Sequence, residues 1–177
     1  MIVFDSETTG LVLPGLVPLK DQPQMIEFAG IKLDSDLEEV ERLEFLINPG
    51  VPLPQEIVKI TSITDDMLKD QRPFAAHYRD LCNFFLGEET MVAHNLQFDL
   101  SILRFELERL GRQFAFPYPP VQICTVEASY SLYNKRLHLS ELHLLATQGN
   151  FKDAHRAMAD TEALVRCVRW LRGRDLL

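Results

Sequence analysis

Residues 1–10 read MIVFDSETTG. Ile2, Val3 and Phe4 open a β-strand, yet Asp5 and Glu7 follow within the same run. Strand side chains alternate between faces, so Val3, Asp5 and Glu7 project to one side and Ile2 and Phe4 to the other. Apolar residues on both faces mark a strand covered from both sides, as a central strand is. A buried carboxylate without a partner costs several kcal/mol, so this pair requires something cationic beside it.

Working outward, further strand-like runs fall at 25–33 (MIEFAGIKL), 42–47 (RLEFLI), 90–94 (TMVAH) and 121–125 (VQICT). The first three strands are close in sequence, with turn signals such as NPG at 48–50 nearby, and predict an antiparallel meander. From residue 52 onward helical periodicity dominates, at about 54–60, 64–70, 74–86, 96–110, 125–133, 139–147 and 157–172. Thr64 before DDML and Ser140 before ELHLLA read as helix starts. A meander continued through helical crossovers is a mixed α/β sheet. Segment 11–24, LVLPGLVPLKDQPQ, is too broken by proline and glycine for a helix; leaving the carboxylate strand directly, it is expected to wall one side of the acids, the alternative being a plain surface connection.

The chain of 177 residues is expected to form one domain spanning 1–177, and its 46% hydrophobic, 25% charged composition is that of ordinary globular proteins. Three cysteines without CxxC spacing suggest neither a zinc site nor a disulfide framework. With no signal-like opening and no run of about 20 apolar residues, a cytoplasmic protein without a membrane association is expected. The net charge of −8 argues against nucleic acid at first sight, but residues 1–99 carry 7 Lys/Arg against 18 Asp/Glu while residues 100–177 carry 11 against 8. A polyanion would approach the second half, or cations held among the acids.

Two more carboxylates stand where solvation is not expected. Asp99, in AHNLQFDLSIL, stands near the start of a helix with Ile102, Leu103 and Leu110 as its apolar positions; helix capping, with its favourable dipole interaction, is an alternative account of this residue taken alone. Asp160 shares a helical stripe with Ala157, Leu164, Val168 and Leu171, the face that packs inward. Four acids gathered from separate elements repel one another unless cations bind, and oxygen ligands select Mg²⁺ or Mn²⁺. Two such ions about 4 Å apart can activate a water and stabilise a leaving oxygen in phosphodiester hydrolysis.

That chemistry needs a base, and His155 in DAHRAMADTEAL is the best placed of the five histidines. On one helix His155 and Asp160 would point about 140° apart, so the histidine is expected on the loop leading into the helix. His94 and Asn95 are expected to organise the turn before Asp99, His138 and His143 to lie on or near an amphipathic helix, and His77 on a helix surface. The phenylalanines read as core, and Arg166, Arg169, Arg172 and Arg174 as a solvated face.

FDSETTG (4–10), AHNLQFD (93–99) and HRAMAD (155–160), in this order, resemble the three motifs of the DEDDh 3′-to-5′ exonucleases, the DnaQ-like group of proofreading subunits, ribonuclease T and small exodeoxyribonucleases. The resemblance covers residues 1–170 and implies a ribonuclease H-like fold: a five-stranded mixed sheet flanked by helices. It implies that Asp5, Glu7, Asp99 and Asp160 hold two Mg²⁺ or Mn²⁺ ions, with Asp5 bridging them, and that His155 deprotonates the attacking water. Thr8 and Leu11 would touch the terminal nucleotide, Glu56 would keep a substrate-binding position, and Asn95 would support the second motif. Arg156 stands where the sister DEDDy class carries tyrosine, which disfavours that class. One departure is that Thr61 and Ser62, in KITSIT, replace a His-Gly pair common in proofreading members.

The resulting expectation is release of nucleoside 5′-monophosphates from a single-stranded or frayed 3′ end, DNA favoured, with a polymerase, another replication or repair protein, or a second copy as possible partners. The competing readings are a non-catalytic module binding nucleic acid or a polymerase, an RNA-trimming exoribonuclease, and an endonuclease of the ribonuclease H type.

Overall fold

A computed structural model describes residues 1–151 and 154–177. Its strands are β1 (Ile2–Thr8), β2 (Met25–Leu33), β3 (Glu39–Leu46), β4 (Thr90–Ala93) and β5 (Val121–Cys124), in one sheet of order β3-β2-β1-β4-β5. The carboxylate strand β1 is central. It pairs antiparallel with β2, which pairs antiparallel with β3, and parallel with β4, which pairs parallel with β5.

Helices α1 (Gln55–Thr61), α2 (Asp65–Leu68) and α3 (Phe74–Phe85) join the meander to β4, and α4 (Leu96–Arg109) crosses from β4 to β5. Four more follow: α5 (Thr125–Ala128), α6 (Tyr130–Tyr133), α7 (Leu139–Thr147) and α8 (Ala157–Arg172). The alternation of β1 divides the core between the two faces. Ile2 and Phe4 pack with Phe28 and with Leu81, Phe84, Phe85, Leu100 and Leu103 of α3 and α4. Val3 packs instead with Ile31, Val92 and Leu142, Leu164, Val168 and Leu171 of α7 and α8. Burying each such side chain contributes roughly 1.5–3 kcal/mol, which fixes the carboxylate strand between two helical layers. On β2 a Cβ at Gly30 would sit 2.7 Å from the Phe84 ring, so only glycine allows that ring to close over the strand.

Several expectations are corrected. β3 starts at Glu39 rather than 42, because backbone pairing with β2 continues through exposed residues Glu39, Val40 and Glu41 that show no alternation. Charges along this edge also discourage pairing with another sheet. The helix expected over 125–133 breaks at Ser129 into α5 and α6. Thr64 does cap α2, accepting from the Met67 amide, whereas α7, which begins at Leu139, is capped by His138, whose amide donates to Glu141, and not by Ser140. His77 is buried and stacked on Phe45, with 4.1 Å between ring centroids, and is not on the helix surface. No helix among the described residues is long and apolar enough to cross a membrane.

Candidate active site

Asp5 and Glu7 project from the carboxyl half of β1 on the Val3 face, beneath the first turn of α8. Asp160 comes down from that turn, and Asp99 reaches in from the first turn of α4. Ser6, pointing to the opposite face of β1, donates its hydroxyl to Asp99 Oδ1 at 2.7 Å and links α4 to the carboxylate strand.

The electrostatics express this convergence. Burial, followed by repulsion from Asp99, Asp160, Glu7 and Glu27, holds the Asp5 carboxyl well above the usual carboxylate range. Burial and then Asp160, Glu27 and Asp99 push Glu7 up to about 8, against a downward pull from Arg156. Burial raises Asp99 to about 7 despite the Ser6 hydrogen bond, and Asp160 to about 6 despite the bond it accepts from the His155 amide. Such a group of acids favours uptake of protons or of cations.

His155 lies outside the regular helix, exposed, with a positive φ of 68°. Its amide donates to Asp160 Oδ2 at 3.0 Å. Glu7, His155 and Asp160 each offer a ligand-capable atom within 4.8 Å of the others. Carboxylate oxygens in excess, one imidazole and mutual repulsion fit a hard divalent cation.

The remaining sequence-derived positions divide. Thr8 is buried, its hydroxyl donating to the Gly10 carbonyl, and Leu11 beyond it is 79% exposed. Leu11 lines a groove of about 350 Å³ together with Thr9, Leu13, Gln24 and Val51. The 11–24 segment is ordered by Arg109, which donates to the carbonyls of Leu19, Gln22 and Pro23. Asn95 is the left-handed residue that opens α4, and its side-chain oxygen accepts from Arg136. Glu56 is exposed on the first turn of α1; no hydrogen bond or ion pair among the described residues joins it to the acids. Thr61 is buried with its hydroxyl bonded to the Ile57 carbonyl, and Ser62 takes the left-handed conformation, φ 60°, that glycine adopts with least strain.

His94 is held between Thr125 Oγ1 and the Leu137 carbonyl at 2.9 and 3.1 Å, and burial pushes its pKa down to about 4. A carbonyl only accepts, so Nε2 carries the proton and Nδ1 accepts from Thr125. His94 is therefore a neutral brace between the end of β4 and the later helices.

Glu27 escaped the sequence reading. It is fully buried on β2, directly opposite Glu7. Arg156 donates to it through Nε and Nη2, the shortest bond being 2.6 Å, and the Ala157 amide donates at 2.9 Å. The available signal was a lone acid inside MIEFAGIKL, a run buried on both faces.

A sequence model of the exonuclease family of RNase T type matches residues 2–168. The chain is 34% identical over 182 residues to the PolC-type DNA polymerase III of Halalkalibacterium halodurans, covering 99% of this chain and 12% of the relative. It is 33% identical over 168 residues to the Bacillus subtilis PolC-type enzyme, covering 92% and 11%. It thus spans about an eighth or less of these relatives. In structure it is similar to E. coli exonuclease I in complex with a dT13 oligonucleotide, at TM-score 0.79 and 21% identity, covering 98% of this chain and 41% of that one. It also resembles exonuclease X in complex with 5′ overhanging duplex DNA, at TM-score 0.68 and 21% identity, covering 98% and 91%. These likenesses establish the ribonuclease H-like sheet expected from the sequence.

Proposed function

Since the chain belongs to the exonuclease family, we propose that it is a metal-dependent 3′-to-5′ exonuclease of the DEDDh class, acting as one domain on single-stranded or frayed DNA ends. The observation that carries this reading is the convergence of Asp5, Glu7, Asp99 and Asp160, from three separate elements, beside the exposed imidazole of His155.

Asp5, Glu7, Asp99 and Asp160 would hold two Mg²⁺ or Mn²⁺ ions. When bound, such ions lower the pKa of a water and stabilise charge on the leaving oxygen. His155 accepts the proton of the attacking water, since an imidazole ring nitrogen carries a lone pair that can take it. The water oxygen bonds to the terminal phosphorus, the bond from phosphorus to the 3′ oxygen breaks, and a nucleoside 5′-monophosphate leaves. Leu11 borders the groove that would seat the terminal nucleotide and offers an apolar edge for its base, while Thr8 would fix the turn leading into it through its bond to the Gly10 carbonyl. Asn95 supports the turn carrying Asp99, and Glu56 would be a further substrate contact.

The relatives named as PolC-type DNA polymerases and the similar folds seen with DNA favour DNA over RNA. The same relatives favour a proofreading role beside a polymerase. Matched linear and circular single-stranded DNA, with a linear RNA of the same sequence, test the proposal: stepwise mononucleotide release from linear DNA is expected, with the circle untouched. Cutting of the circle would replace the exonuclease reading with an endonuclease, and preference for RNA would reassign the substrate.

A further inference from the structure

The Glu27–Arg156 pair joins the site to the sheet without belonging to the acid set. Glu27 is wholly inside the protein, so its charge carries a large desolvation cost that only close, well-aligned donors offset. It receives them: the Arg156 guanidinium through two nitrogens and the Ala157 amide. A buried ion pair is often no more stabilising than an apolar pair of similar volume. What this one does is geometric. Arg156 is the residue at which α8 begins, and it directly follows His155, whose φ of 68° is unusual for a residue with a side chain. The backbone around His155 is thereby bracketed: its own amide is held by Asp160, and the next residue's side chain and the Ala157 amide are held by Glu27. Because Glu27 is registered opposite Glu7, the same contacts set the height of the His155 loop above β1.

We infer that Glu27 and Arg156 are positioning residues that lock the His155 segment over the carboxylate strand, with Glu27 so occupied by donors that it does not compete as a metal ligand. This inference rests on the exonuclease reading. The fork of Arg156 is essential to it, since lysine supplies the charge as a single point without the two-nitrogen grip.

The test uses steady-state digestion of a fluorescent single-stranded oligonucleotide at saturating Mn²⁺, with melting followed in parallel. Arg156→Ala, Arg156→Lys, Glu27→Gln and the apolar pair Glu27→Met with Arg156→Leu are compared with wild type. Every folded variant is expected to lose about 10–100-fold in kcat, as partners that orient active-site groups do on mutation, with KM changed less than threefold. Millimolar guanidinium should restore part of the kcat of Arg156→Ala and none of the double variant. A folded double variant, or a folded Arg156→Lys, within twofold of wild-type kcat overturns the inference. So does a loss borne wholly by KM, or a failure of guanidinium to act on a folded Arg156→Ala. An inactive wild-type protein would instead remove the exonuclease reading itself.

Discussion

Ser6 and Asp99, 93 positions apart, are joined by a 2.7 Å hydrogen bond between the hydroxyl and one carboxylate oxygen. One residue of β1 thus holds an acid of α4 while its two neighbours present acids on the other face. The bond pulls the Asp99 carboxyl down against the upward push of burial. Ser6→Ala should therefore raise the Mn²⁺ concentration needed for half-maximal activity several-fold near pH 7. The deficit should shrink near pH 9, where Asp99 ionises with or without the hydroxyl. Titrating activity with Mn²⁺ at both pH values checks this, and an unchanged metal requirement would contradict it.

The acid cluster also dictates how stability depends on pH. Glu7, Asp99 and Asp160 titrate at about 8, 7 and 6 when folded, against about 4 in an unfolded chain. Groups raised in this way contribute stability that is fully present below about pH 4 and is lost as pH rises through their folded values. Melting of the metal-free protein should accordingly fall between pH 6.5 and 8.5. Added Mg²⁺ or Mn²⁺ should raise it, by more at the higher pH, because the cation then displaces fewer protons. Asp99→Asn should stabilise the metal-free protein above pH 7 and diminish the metal-induced rise. Calorimetric scans with and without the ion measure both effects.

His94 acts with the opposite sign. Its folded pKa of about 4 lies below the value near 6.5 expected when unfolded. Its stabilisation is complete above about pH 6.5 and disappears as pH falls towards 4, a change on the order of 3 kcal/mol. The stability difference between wild type and His94→Gln should shrink by about that amount across this window, as urea unfolding at several pH values would reveal. A constant difference would remove His94 from the neutral bracing role.

Much of the fold was legible because apolar runs and periodic faces coincide with real layers. The Ile2-Val3-Phe4 run is central, and the Ala157, Leu164, Val168 and Leu171 stripe is the buried face of α8. Pattern failed where backbone pairing or a local break decides, as in the first residues of β3 and at Ser129. His77 was misread because ring stacking on Phe45 depends on a distant strand. In the candidate site, acids set among apolar residues stood out, and the structure gathers Asp5, Glu7, Asp99 and Asp160. Glu27 stayed hidden because its meaning lies in the β1–β2 register and in Arg156, 129 positions away.

The most direct measurement is Mn²⁺-dependent release of nucleoside 5′-monophosphates from single-stranded DNA by wild type, Asp99→Asn and His155→Ala, with folding monitored by melting. Release by wild type is expected, with both variants folded and slower by about a hundredfold or more. Near-normal turnover by both variants with metal in excess, or no release by wild type, would contradict the account.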